Sequence, residues 1–186
     1  MKVFTMAALG LAALVASPAT SIPASAQAAG SGSIAGGATL VRLTAAPTLV
    51  GLGLSIRATG RAFLGGNRQP VATFLITGGI QSPTGSAILH DGSGLVFSAG
   101  KKRLAVSNFV VNTSTSFVLA DVNANGTKIE KVTLFKIGRN LELTLTKEGA
   151  GAFTGVFGAP DLTGAVIGRA RTVPALDINP GGSGAH

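Results

Sequence analysis

The sequence predicts an all-β domain, an antiparallel β-sandwich of immunoglobulin-like build with two short helices. Three observations carry this. Apolar residues alternate with polar ones at period 2 through most of the chain. The alternating runs are short, rich in Val, Ile, Leu, Thr and Phe, and closed by Gly, Asn and Ser. Seven or more such runs at close spacing fit a sandwich or a barrel.

The first 28 residues stand apart. Lys2 is followed by an apolar run, Val3 to Ala16, and then by SPATSIPASAQA, in which Ala24-Ser25-Ala26 and Ala26-Gln27-Ala28 both read as cleavage sites. This is the pattern of an export signal peptide over residues 1–28. The run is short of the roughly 20 residues a membrane span needs, so no stable span is expected after cleavage. A small-residue stretch, AGSGSIAG (29–36), reads as a flexible linker, and DINPGGSGAH (177–186) as a disordered tail. One domain, residues 37–176, is expected between them.

Within it the runs follow in order: VATFLITG (71–78), GSAILHD (85–91), GLVFSA (94–99), RLAVSNFVVNT (103–113), SFVLADVNA (116–124), TKIEKVTLFKI (127–137) and LELTLT (141–146). Ala99-Gly100-Lys101-Lys102 and Asn123-Ala124-Asn125-Gly126 read as hairpin turns, the second because Asn-Gly supplies positive φ. Two segments lack alternation, AAPTLVGLGL (45–54) and KEGAGAFTGVFG (147–158). Each reads as a short helix entered after a capping threonine, Thr44 or Thr146. Each follows a Leu-Thr pair and precedes a strand ending Gly60-Arg61-Ala62 or Gly168-Arg169-Ala170, a weak internal repeat.

Composition removes much chemistry. The chain has no Cys, Trp or Tyr, and both methionines, Met1 and Met6, fall in the signal. An exported protein without cysteine draws its stability from apolar burial and strand hydrogen bonds. No second ordered histidine and no cysteine accompany His90, so no zinc site is expected. No G-x-S-x-G elbow occurs, and Asp91 beside His90 points to the opposite strand face, so no catalytic triad forms. No enzyme is expected and no catalytic residue is assigned.

There are 15 basic and 7 acidic residues, and Lys2 is the only charged residue of the signal, so the remainder carries a net +7. Export and the lack of a stacking platform argue against nucleic acid. An anionic envelope surface is the partner such a balance suits; solubilising a glycine-rich surface is the other reading. The charged turn Gly100-Lys101-Lys102-Arg103 reads as a solvated hairpin. Asp121-Val-Asn123-Ala-Asn125-Gly126 resembles the start of a calcium loop, but Val132 stands where its bidentate Glu belongs, so a hairpin is the better reading. His186 sits in the tail and is given no role.

The remaining feature is TGSAILHDGSGLVF (84–97), which holds His90. From the residues alone His90 is either a ligand-binding side chain at a strand end or a polar residue that pins its loop. The order Ile76-Thr77-Gly78-Gly79, His90 through Leu95, Asn108 through Thr113 and Leu134-Phe135 resembles the HtaA-type domain of bacterial cell-surface haem-uptake proteins, over roughly residues 38–173. The resemblance implies a β-sandwich with two short helices, haem as cofactor, an iron-ligating tyrosine near the first helix, and a supporting histidine matched by His90. This chain has no tyrosine, and Ser93 splits the glycine pair after the histidine. That leaves His90 to ligate iron itself or to serve a similar planar apolar ligand. The expected function is an exported, non-catalytic binding module of the cell envelope, secreted or periplasmic, taking haem or an apolar small molecule at His90. The alternative is a structural or adhesive envelope protein without a small-molecule ligand.

Overall fold

The computed structural model describes residues 31–67 and 69–176. Along the chain run β1 (Gly32–Arg42), α1 (Ala46–Gly51), β2 (Ser55–Gly60), β3 (Ala62–Gly65), β4 (Val71–Leu75), β5 (Gly78–Ser82), β6 (Gly85–Ala99), β7 (Lys102–Asn112), β8 (Phe117–Ala124), β9 (Thr127–Ile137), β10 (Glu142–Leu145), α2 (Lys147–Phe157) and β11 (Val166–Leu176). The fold is all-β and sandwich-like with two short helices, as the sequence predicts. The signal, the tail and His186 lie outside the described residues.

The strands form one antiparallel sheet in the order β11-β10-β9-β8-β7-β6-β5-β1-β4-β3, with β2 on β6. β1 also pairs with β11, from Ile34 opposite Leu176 to Arg42 opposite Arg169, which closes the sheet on itself. Alternation then has a clear meaning: one face of most strands looks into a shared core. Val41, Phe74, Phe97, Leu104, Val106, Phe109, Val118, Leu134, Leu143 and Ile167 fill it.

The strand β1 begins at Gly32, inside the stretch expected to be a linker. Backbone pairing to β5 and β11 needs no side chain, and Ile34 anchors the segment by burial against Ile76 and Ile88. Gly37, at φ +112°, sits so near the Val173 carbonyl that a Cβ there would collide with it. The runs 85–91 and 94–99, expected as two strands, are one 15-residue strand that passes through a bulge.

The two helices differ. At α2 the Thr146 hydroxyl accepts from the Gly149 N–H at 3.0 Å, and Gly158 ends the helix in the left-handed region at φ +69°. Phe153 and Val156 enter the core, and Phe153 meets Phe97 edge-on at 5.0 Å. At α1 the cap position falls on Ala45, which has no side chain to offer, so the expected role of Thr44 is not realised. This helix has six residues and is held by burial of Ala46 and Leu49.

Candidate functional site

His90 lies on the inward face of β6, opposite Phe109 of β7, and is 1% exposed. Its ring sits in an aromatic corner. Phe74 stands edge-on to it at 6.2 Å and to Phe109 at 5.0 Å. His90 Nδ1 is 3.0 Å from the Leu75 carbonyl oxygen. A carbonyl only accepts, so Nδ1 carries the proton and, in the neutral ring, Nε2 presents a lone pair. Nε2 is buried and has no hydrogen-bond partner among the described residues. Burial lowers the His90 pKa, against the Leu75 carbonyl and Asp91, which raise it, so the ring stays neutral at pH 7.

An unpartnered buried acceptor costs about 1–3 kcal/mol. His90 is among the side chains that line a cavity of about 190 Å³ inside the closed sheet. The lining is almost wholly apolar: Val41 of β1, Phe74 of β4, Ile88 and Leu95 of β6, Phe109 of β7, Leu143 of β10 and Ile167 of β11 contribute. Thr39 and Thr172 also line it, but their hydroxyls bond each other at 3.1 Å across the β1–β11 seam. One end reaches Leu141, which is 42% exposed.

The bulge that aims His90 has its own polar structure. Asp91, Gly92 and Ser93 of β6 stand opposite the single residue Asn108 of β7. Asn108, at φ +53°, accepts from the Gly92 N–H at 2.8 Å and donates through Nδ2 to Asp121 Oδ2 at 2.8 Å. Asp121 Oδ1 accepts from the Lys131 N–H at 3.1 Å, and the Lys131 ammonium lies 3.6 Å away. Gly92 and Lys131 also have positive φ. Irregularities thus align across β6, β7, β8 and β9 and bend the sheet there. Burial raises the Asp121 pKa, but the Asn108 amide, the Lys131 N–H and the Lys131 ammonium outweigh it and hold the carboxyl below its usual value.

Asp91 is exposed while His90 is buried, as period 2 requires of neighbours, and the Asp91 backbone N–H donates to Thr77 Oγ1 at 2.9 Å. The Asp121–Gly126 segment is a hairpin: Asn123 Oδ1 accepts from the Gly126 N–H at 2.8 Å, and Asp121 is committed to Asn108 and Lys131. No group of three or more potential metal ligands occurs among the described residues. Ser93 is fully buried with its hydroxyl unpartnered, so the residue that splits the glycine pair turns inward too. Sequence reasoning singled out His90 but not the residues that line the cavity with it. Phe74 and Phe109 carried a signal in their alternation; Thr39 and Thr172 carried none, because the β1–β11 seam is a pairing over 133 residues.

The fold and site define a class: a closed all-β domain with an apolar interior that holds one neutral histidine. Its fold is that of the C-terminal domain of HtaA from Corynebacterium glutamicum, with a TM-score of 0.56 at 14% identity, covering 77% of this chain and 98% of that one. The haem-binding protein HtaB from Corynebacterium glutamicum is also similar, with a TM-score of 0.51 at 11% identity, covering 80% and 98%. No family model and no curated protein sequence matches the chain.

Haem does not fit at His90. Pockets for drug-sized ligands run to roughly 300–1,000 Å³, whereas this cavity is about 190 Å³ and the imidazole is sealed.

Proposed function

We propose that this chain is an exported, non-catalytic binding module of the cell envelope, secreted or periplasmic, whose ligand is a compact apolar molecule with one hydrogen-bond donor. The observation that carries this is a buried His90 with an unpartnered Nε2 among the side chains that line an apolar cavity. Apolar cavities of about 150 Å³ take up benzene-sized molecules, and the volume here suits that scale. A donor on the ligand would satisfy Nε2 and recover the cost of leaving it bare. The likeness to a haem-binding protein makes haem the other ligand to test. The second reading, a structural or adhesive envelope module, is favoured by the tie of His90 Nδ1 to Leu75, which pins the ring without any ligand.

Phenol and benzene are the probes. Phenol should bind saturably and shift the ¹⁵N resonance of His90 Nε2; benzene should bind without that shift. His90→Phe should abolish the phenol response. If neither probe saturates, the structural reading stands. A shifted Soret band on haemin titration, lost in His90→Ala, would make haem the ligand and overturn the compact-ligand reading.

A further inference from the structure

The outward face of β3, β4, β1, β11 and β10 is unlike the rest of the exterior. Strand register places its side chains in rows. Val71, Arg42, Arg169 and Glu142 form one row, and Phe63, Thr73, Leu40 and Arg171 the next. Leu75, Ala38 and Val173 form a third. Arg42 and Arg169 are directly opposite, a like-charge pairing that costs stability. They and Arg171 line an external groove of about 680 Å³ whose single acidic residue is Glu142.

The guanidinium groups are weakly engaged. Arg42 reaches a neutral acceptor, Gln69 Oε1, at 3.3 Å, and Arg169 lies 3.6 Å from Glu142 with both side chains well exposed. Arg171 is exposed on the same face. Beside this positive groove stand exposed apolar side chains on the same face: Phe63 at 61%, Val173 at 51%, Leu75 at 39% and Leu40 at 36%. A soluble polyanion would use the arginines but leave the apolar row in water. A surface that offers phosphates above hydrocarbon uses both.

We propose that this face docks on an anionic lipid bilayer, with Arg42, Arg169 and Arg171 on lipid phosphates and Phe63, Leu75 and Leu40 entering the boundary between headgroups and acyl chains. The site is separate from the His90 cavity, which faces the interior of the same sheet.

Residues 29–186, which hold every element of the fold, are sedimented with vesicles of phosphatidylglycerol and phosphatidylcholine or of phosphatidylcholine alone. The protein binds the anionic vesicles and is released by salt. R42Q/R169Q/R171Q weakens binding about a hundredfold, at roughly fivefold per arginine. F63S/L75S weakens it at least tenfold. K101Q/K102Q/K128Q removes the same charge from exposed positions elsewhere and stays within about tenfold of the parent; His90→Phe binds like the parent. Circular dichroism checks that each variant is folded. Absence of binding overturns the proposal. So does equal loss in the lysine variant, which would mean attraction to net charge. Parent-like binding by F63S/L75S also overturns it and points to a soluble polyanion instead.

Discussion

The two sides of the β6–β7 bulge treat polar atoms in opposite ways. On the inside, His90 is sealed among phenylalanines and keeps one nitrogen unpartnered. On the other side, Asn108, Asp121 and Lys131 hand hydrogen bonds from strand to strand. The same irregularity aims one side chain inward and gathers the others along a bend. The satisfied line holds shape; the unsatisfied nitrogen is the group the proposed ligand would meet.

The largest effect expected is from Phe109→Ala, which deletes the ring opposite His90 and enlarges the cavity, at a cost of about 3–5 kcal/mol in denaturant unfolding. Asp121→Ala removes the acceptor shared by Asn108 and Lys131 and costs about 1–2 kcal/mol, discounted for its partial exposure. It should also flatten the acid limb of stability. The folded pKa of Asp121 is lowered, so its contribution is present above the unfolded value near 3.8 and lost as pH falls through the folded value. Asn108→Ala should be less stable than Asn108→Gly by about 1 kcal/mol, because both lose the amide but only alanine is strained at φ +53°.

The smallest effect at pH 7 belongs to His90→Phe, within about 1 kcal/mol, but it changes the pH profile. The folded pKa of His90 is lowered, so the unfolded chain takes the proton first. Stability is full above about pH 6.5 and declines as pH falls toward the folded value. Thermal melts from pH 8 to 5 should show that decline in the parent and not in His90→Phe. A parent profile flat over this range would break the contrast between the two sides.

What the sequence disclosed and what it hid divide along chain distance. The Asn125-Gly126 turn, with φ of +50° and +100°, and the Thr146 cap are local features and were legible. The start of β1 was hidden because glycine and serine show no alternation, and only Ile34 marks a buried face. Thr44 looked like a cap because its residue type fits, yet the helix starts one residue later. His90 was legible as the one histidine among apolar residues. Its cavity was not, since the lining comes from strands brought together only by closure. Arg42 and Arg169 are 127 positions apart and meet through the same seam.

That seam has a kinetic meaning. The first strand of the domain pairs with β4 and β5 on one edge, but on the other its partner is the last strand, so closure must wait for nearly the whole chain. Contacts of such long sequence separation are slow to form. The enclosure around His90 therefore rests on a contact between opposite ends of the domain, and a chain lacking β11 would lose one wall of it.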